Sequence, residues 1–107
     1  MKRYGSVIQV NPEKLEVYKQ LHAAVWPAVL EQIKKSNIRN YSIFYKDGWL
    51  FSYFEYLGTH YEKDMAAMAD DKITQEWWAV CKPCQLPVST RGEGEWWATM
   101  EEVFHTD

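Results

Sequence analysis

Residues 40–57 read NYSIFYKDGWLFSYFEYL, and this stretch decides the fold. Both halves are rich in aromatic and β-branched residues, which favours strands, and the Asp47-Gly48 pair between them is typical of a tight hairpin turn. Large side chains stand at odd and at even positions in both halves. Because an antiparallel hairpin with one face in water would alternate apolar with polar residues, both faces of this hairpin are predicted to be covered.

The segments around the hairpin complete an α+β domain. We predict a strand within Arg3–Val10, a helix over residues 12–36, two short helices at Thr59–Asp70 and Thr74–Cys81, and a last strand at Glu95–His105. The order β-α-β-β-α-β is the ferredoxin-like pattern. One helical layer covers only one face of a sheet, so we expect the other face to meet a second subunit.

Residues 12–36 carry the signals of a long amphipathic helix. The sequence Asn11-Pro12-Glu13 supplies an N-cap, a proline at the first helical position and an acidic first turn. Apolar residues recur at helical spacing from Leu15 to Ile33 and place His22 on the buried face. Pro27 is predicted to kink this helix one turn after His22.

Composition narrows the classes of function. Residues 1–107 are enough for one domain, and the 47% hydrophobic share excludes a disordered or fibrous chain. The net charge of −3 removes the electrostatic footprint of a nucleic-acid-binding protein. Six Trp, seven Tyr and four Phe are more rings than one small core can hide, so some must line a pocket or a partner surface.

The sequence also bears on the compartment. No run approaches the ~18 apolar residues of a membrane span, and the basic start Met1–Gly5 is not followed by the apolar segment of a signal peptide. Two cysteines are too few for the disulfide framework of a small secreted domain. We therefore expect a cytoplasmic protein without membrane attachment.

Tyr18 and His22 are the first candidates for chemistry. They stand four residues apart, so on a helix their side chains project from one face and lie side by side. An imidazole accepts and donates protons near neutral pH, and the adjacent phenol could orient it or bind a substrate. The alternative is a core histidine satisfied by its neighbours, and spacing alone favours that interpretation.

Two tryptophan pairs are the second candidates. Adjacent helical residues diverge, so Trp77 and Trp78 cannot both be buried in one stripe, and on a strand Trp96 and Trp97 would face opposite sides. Such indoles can form a wall against a sugar or another ring, or an interface with a second subunit. Both interpretations stay open for Trp77 and Trp78, whereas the interface is favoured for Trp96 and Trp97.

The motif Cys81-Lys82-Pro83-Cys84 is similar to a thioredoxin-type redox pair but is predicted at the wrong end of a helix. The electronegative C-terminal end disfavours a thiolate, and a zinc site would need two further ligands. Glu101 and Glu102 are predicted on opposite faces of a strand, so they form no acid–base pair. No phosphate loop or dinucleotide fingerprint is present, and we expect neither a metal nor a cofactor.

Six pieces of the chain, taken together, resemble the L-rhamnose mutarotase family. They follow the family's order over nearly the whole length: QVNPEKLEVYKQLHAAVWP (9–27), NIRNYSIF (37–44), LFSYFEY (50–56), TQEWW (74–78), PVS (87–89) and EEVFH (101–105). The most specific set joins Tyr18, His22, Trp26 and Pro27 at fixed spacing to the Trp77-Trp78 pair downstream.

This resemblance implies both a fold and an activity. The fold is a dimeric α+β barrel, in which the sheet of one ferredoxin-like subunit packs on that of its partner in a homodimer. The activity is the interconversion of the α and β anomers of L-rhamnose without a metal or cofactor. Carried over residue by residue, His22 is the catalytic acid, and Tyr18, Tyr41, Trp77 and Trp78 contact the sugar. The base opposite His22 is left open.

Two other functions fit the same features. A cofactor-free monooxygenase of the same barrel class would hold a quinol-type substrate in the aromatic pocket, although a polar pair beside paired indoles suits a sugar better. A non-catalytic sugar-binding dimer would use Trp77 and Trp78 as a platform and His22 only as a hydrogen-bond donor.

Overall fold

The computed structural model describes residues 1–107 and contains five strands, four α-helices and two short 3-10 helices. No helix has the length and apolar character that crossing a membrane requires. The strands are β1 (Lys2–Val10), β2 (Ile38–Lys46), β3 (Trp49–Tyr56), β4 (Gln85–Leu86) and β5 (Ala98–Met100), and the helices are α1 (Leu15–Ala23), α2 (Pro27–Lys35), α3 (Tyr61–Asp70) and α4 (Lys72–Cys81). The predicted α+β order is confirmed, and so are the two short helices predicted between β3 and β5.

All five strands belong to one antiparallel sheet. Its order is β2-β3-β1, and β4 and β5 pair with successive parts of the remaining edge of β1. β2 and β3 form the predicted hairpin, in which Asp47 and Gly48 have φ values of 49° and 88°. Positive φ at both central residues is what a two-residue hairpin turn with matching twist requires, and glycine adopts it without strain.

The single kinked helix predicted over residues 12–36 is in fact two helices. α1 ends at Ala23 and α2 begins at Pro27. A proline ring clashes with a helical conformation of the preceding residue, and Trp26 accordingly is extended, with φ −60° and ψ 133°. Pro27 then opens the new helix, where its missing N–H costs no hydrogen bond. The break frees the Trp26 indole to pack on Trp77 at 5.2 Å between ring centroids.

The last strand is shorter than the prediction of Glu95–His105. Only Ala98–Met100 pairs with β1. The segment before it is held in a turn because the Glu95 carboxylate accepts hydrogen bonds from the Gly92 N–H and the Thr99 hydroxyl, at 2.8 and 2.7 Å. Such side-chain bonds compete with strand pairing.

The inner face of the sheet carries the core. Ile8, Val10 and Leu50 are at most 2% exposed, and they form one apolar cluster with Tyr18 of α1 and Cys84. A second cluster joins α2 to α4 through Val29 and other buried residues. The helices thus lie on this face, and the space between them and the sheet is where the candidate residues of the sequence meet.

The outer face carries large apolar side chains that remain exposed. Phe44 and Phe51 are opposite each other in the ladder and are 63% and 37% exposed, and Trp49 and Met100 are each 38% exposed. We call these four residues the outer patch. Large apolar side chains thus stand on both faces of the hairpin, the helices cover the inner face, and the predicted cover of the outer face stays a prediction.

Candidate active site

A cavity of about 260 Å³ lies between the inner face of the sheet and helices α1, α2 and α4. Pockets for drug-sized ligands measure roughly 300–1,000 Å³, so this cavity is of a size for a monosaccharide. The five candidate residues of the sequence all line it: Tyr18, His22, Tyr41, Trp77 and Trp78.

Tyr18 and His22 lie side by side on α1, as their spacing predicts. Their rings stack with centroids 4.1 Å apart and an angle of 26° between the planes. Tyr18 is 3% exposed, whereas His22 is half-buried and borders the cavity. The helix therefore presents a buried phenol and a partly accessible imidazole as one unit.

The hydrogen bonding of His22 defines its tautomer. Nδ1 lies 2.9 Å from the backbone carbonyl oxygen of Tyr18. Because a carbonyl can only accept, Nδ1 carries the hydrogen of the neutral ring, and Nε2 carries a lone pair with no partner in the protein. Burial lowers the pKa of His22 below its ordinary value of 6.5, while the bond to the carbonyl acts in the opposite direction. At neutral pH the ring is neutral and Nε2 can accept a proton.

The Trp77-Trp78 pair divides between the core and the cavity wall. Asp71 caps α4, since its carboxylate accepts hydrogen bonds from the Thr74 N–H and hydroxyl at 2.9 and 2.8 Å. On the helix so fixed, Trp77 is 6% exposed and meets the His22 ring edge-on at 5.2 Å. Trp78, about 100° further round the helix, is half-buried. Both indoles border the cavity, and only Trp77 is part of the core.

Tyr41 reaches the cavity from the sheet. It lies on β2 and packs against Phe54 at 5.5 Å between ring centroids. The residue is 42% exposed, yet the burial of its hydroxyl raises the pKa of Tyr41 to about 12. Burial also raises the pKa of Tyr18 well above its ordinary value. Both phenols therefore keep their hydrogens at neutral pH and can donate hydrogen bonds.

Trp96 and Trp97 are not where the sequence predicted them. They precede β5 and do not alternate across a strand, and both are half-buried and line the cavity. The placement of the two rings on opposite sheet faces is therefore wrong. The turn held by Glu95 is the cause, because it brings both indoles over the inner face before the strand begins.

Gln85 is a site residue that sequence reasoning missed. It is 8% exposed, and its amide nitrogen donates to the Tyr18 hydroxyl at 3.3 Å. Its amide oxygen accepts from the Trp96 indole N–H at 2.8 Å. A lone glutamine carries no motif, and only the pairing of β4 with Val10 brings it to the cavity.

The cysteine motif does not contribute a reactive thiol. Cys81 and Cys84 are free and buried, and burial raises the pKa of Cys81 to about 12. Cys81 is the last residue of α4, as predicted, but the cause of its raised pKa is burial rather than its place at the end of the helix. No group of three or more His, Cys, Asp or Glu side chains is placed to hold a metal ion.

Comparison with known proteins gives one consistent family. The family model described as L-rhamnose mutarotase matches residues 3–106. An L-rhamnose mutarotase of Bacillus subtilis is 38% identical, and one of Oceanobacillus iheyensis is 34% identical, with the whole of each chain covered in both alignments.

Two solved structures share the fold. The L-rhamnose mutarotase FA22100 from Formosa agariphila aligns over the whole of both chains with a TM-score of 0.79 and 21% identity. Tetracenomycin F2 cyclase from Streptomyces glaucescens, a polyketide cyclase, aligns over the whole of this chain with a TM-score of 0.75 and 13% identity. At these identities the likeness concerns the fold alone, and the second structure shows that this fold serves other chemistry as well.

Proposed function

The chain belongs to the L-rhamnose mutarotase family, and from that premise we propose that its 260 Å³ cavity is the active site and His22 the catalytic residue. The protein is an isomerase that interconverts the α and β anomers of L-rhamnose. The single observation that carries the assignment of the site is the neutral His22 imidazole, which lines a sugar-sized cavity walled by indoles and whose Nε2 has no partner in the protein.

The reaction sets a short list of chemical demands. One anomer becomes the other when the ring hemiacetal opens, the C1 aldehyde rotates and the ring closes on the other face. Opening removes a proton from the anomeric hydroxyl and delivers one to the ring oxygen, and closing reverses both transfers. A positioned proton acceptor or donor contributes about 10²–10⁴-fold to the rate of such a step.

His22 meets the demand for an acceptor. Its Nδ1–H is engaged by the Tyr18 carbonyl, so Nε2 is the nitrogen left for the sugar. In ring opening the imidazole takes the proton of the anomeric hydroxyl, and in reclosure the imidazolium returns it. The role of catalytic acid that the family resemblance implies for His22 is then the second half of this cycle.

The other cavity residues would hold the sugar while C1 rotates. Trp77 and Trp78 offer apolar ring surface to the C–H face and methyl group of the sugar, and an indole N–H as a polar contact. Tyr41 keeps its hydrogen, since its pKa is raised to about 12, and can donate from the sheet side. We propose these three residues, with Tyr18, as the substrate-binding set.

Saturation-transfer NMR tests this function directly. Irradiation of one anomeric proton of L-rhamnose diminishes the signal of the other in proportion to the exchange rate. The protein should raise that rate far above the protein-free value, and an unchanged rate would refute the activity. The same experiment on other 6-deoxy sugars defines the breadth of specificity.

The two alternatives make different predictions in simple assays. A cofactor-free monooxygenase would consume oxygen with quinol substrates, and the family match does not favour it. A sugar-binding dimer would bind rhamnose without raising the exchange rate.

The pH dependence of catalysis follows from the lowered pKa of His22. The acceptor form is the neutral ring, so kcat/KM should be level above the His22 pKa and fall as the pH drops through it, because protonation removes the lone pair of Nε2. Since burial moves that pKa below 6.5, the midpoint should lie below pH 6.5. Exchange measured by NMR from pH 4.5 to 8, after subtraction of the protein-free rate, provides the profile. A midpoint above 6.5 would contradict a neutral resting His22.

We also propose that a second copy of the chain covers the outer patch. Phe44, Trp49, Phe51 and Met100 are exposed on one sheet face, and exposed apolar surface of this kind marks an interaction site. In a two-fold symmetric dimer the same patch of each subunit lies in the interface, so the apolar side chains of one copy would cover those of the other. This would complete the dimeric barrel that the family resemblance implies.

A charge placed on the outer patch should separate the subunits. Phe51→Lys puts an ammonium where the proposed interface excludes water, and a buried unpaired charge costs several kcal/mol (on the order of 3–5). Sedimentation equilibrium should show twice the chain mass of 12.7 kDa for the wild type and the single mass for the variant. The matched control is Leu30→Lys on α2, 53% exposed and away from the patch, which should remain dimeric. A monomeric wild type would contradict the proposal.

The cytoplasm is the compartment we propose. Cys81 and Cys84 are free, and free thiols persist in a reducing environment.

A further inference from the structure

A chain of hydrogen bonds runs from Trp96 through Gln85 to Tyr18 at one end of the cavity. We propose that Gln85, anchored by Trp96, is a positioning residue that directs the hydroxyl hydrogen of Tyr18 into the cavity and so makes Tyr18 the proton donor opposite His22. The proposal rests on the function proposed above, because it identifies the second proton-transfer group of the same reaction.

The direction of each bond in the chain is fixed by chemistry. The indole N–H of Trp96 can only donate, so the atom of Gln85 that lies 2.8 Å from it is the amide oxygen. The other end of the amide, 3.3 Å from the Tyr18 hydroxyl, is therefore the NH₂ group, which can only donate. The Tyr18 oxygen must accept this bond, and its own hydrogen is left without a protein acceptor.

Backbone pairing holds Gln85 and Trp96 in place. β4 sets Gln85 opposite Val10, and β5, which begins two residues after Trp96, pairs with the same strand β1. Gln85 is 8% exposed, and Trp96 is further held by the Lys82 ammonium over its ring at 5.2 Å. A buried amide between two fixed partners cannot turn over without losing both hydrogen bonds, so the polarity of the chain is stable.

The result is a donor and an acceptor side by side. The rings of Tyr18 and His22 stack at 4.1 Å, with a hydroxyl hydrogen on one and a lone pair at Nε2 on the other. As the C1–ring-oxygen bond breaks, the proton of the anomeric hydroxyl goes to His22 and the proton of Tyr18 goes to the ring oxygen. Reclosure returns both, so protons and charge balance over the cycle.

The same arrangement stabilises the intermediate in which the sugar ring is open. While the sugar is open, the site holds an imidazolium and a phenolate in contact, which together are neutral. The Gln85 N–H donates to the phenolate oxygen and favours the charged form, in opposition to the effect of burial on the pKa of Tyr18. A hydrogen-bond acceptor at position 85 would instead disfavour the phenolate.

A double-mutant cycle between Gln85 and Tyr18 tests the proposal. Gln85→Glu keeps the shape but replaces the NH₂ donor by a carboxylate oxygen, which draws the Tyr18 hydrogen away from the cavity and opposes the phenolate. We expect Gln85→Glu to lower kcat by about 10- to 100-fold in the NMR assay, with a smaller effect on KM. Tyr18→Phe alone should also lower kcat, by less than loss of His22. In the Tyr18→Phe background, Gln85→Glu should change kcat by less than about twofold, because the group it acts through is gone.

Two controls separate a positioning role from a structural one. Gln75→Glu makes the same chemical change at an exposed glutamine and should leave kcat unaltered. Circular dichroism and thermal unfolding report whether each variant keeps its fold. If the buried carboxylate of Gln85→Glu unfolds the chain, Gln85→Met serves instead, because it removes the donor without adding charge. We expect Gln85→Met to lower kcat by about three- to tenfold, and this loss of kcat should disappear in the Tyr18→Phe background.

The outcomes are distinct. Equal losses from Gln85→Glu with and without the Tyr18 hydroxyl would overturn the proposal, since Gln85 would then act on the sugar or the fold directly. Wild-type kcat in a folded Gln85→Glu variant would overturn it as well. Failure of the proposed function would instead appear as an absence of catalysed exchange in the wild-type protein.

Discussion

Replacement of His22 by alanine should abolish the catalysed exchange of L-rhamnose anomers. The substitution removes Nε2, the nitrogen of the ring that is free to accept a proton beside the cavity. Loss of a positioned acid–base group costs about 10²–10⁴-fold in rate. Because the anomers also interconvert in water without a protein, the catalysed rate should then no longer exceed the uncatalysed one. Saturation-transfer NMR should therefore give the protein-free rate at all accessible protein concentrations.

The control for this variant is a histidine that lies outside the cavity. His105 is exposed near the end of the chain and pairs with Asp107 at 2.9 Å, so His105→Ala should exchange the anomers at the wild-type rate. His22→Ala should remain folded, because the half-buried imidazole is not a member of either buried cluster. Wild-type exchange by a folded His22→Ala variant would refute the catalytic role of His22.

Trp77→Ala should cause the largest loss of stability among the cavity residues. The indole is 6% exposed and fills the space between Trp26 and His22, each at 5.2 Å between ring centroids. Truncation of a buried tryptophan removes its transfer free energy and leaves a cavity, which costs about 3–5 kcal/mol. That is a large share of the about 5–15 kcal/mol that stabilises a domain. Urea unfolding followed by circular dichroism measures the change.

The neighbouring tryptophan is the matched control for this prediction. Trp78 is half-buried and lies outside the core, so Trp78→Ala should cost much less stability and chiefly raise KM for the sugar. The two variants thus distinguish a tryptophan that stabilises the fold around the site from one that contacts the substrate. Equal free energies of unfolding for the two variants would contradict the division of the two indoles between core and cavity wall.

The fold was largely predictable because its signals are local. The Asp47-Gly48 turn with its aromatic flanks predicts the hairpin, and the four-residue spacing of Tyr18 and His22 predicts their contact, since both depend only on the geometry of one element. A proline inside a helical pattern predicts a kink at Pro27, but the structure has a complete break there. A proline restricts the residue before it as well, and with Trp26 extended the helix ends and begins again.

The residues of the candidate site likewise differ in whether a local signal in the sequence predicts them. His22, Tyr18, Tyr41, Trp77 and Trp78 were expected from local spacing and from a family resemblance, and the fold brings all five to one cavity. Their catalytic and binding roles remain proposals. No local signal indicated Gln85 or the inward position of Trp96, because each depends on which part of β1 a distant segment pairs with.

The sequence by itself determined local features: a hairpin, a tyrosine and a histidine side by side on one helix, and an excess of aromatic rings. Tertiary structure alone decided the hydrogen bond between Gln85 and Tyr18, which spans 67 residues. The physical reason is the separation along the sequence of the residues that interact. Turns and helices follow from interactions between residues a few positions apart, whereas the Trp96–Gln85–Tyr18 chain exists only after two short strands have docked on the edge of β1.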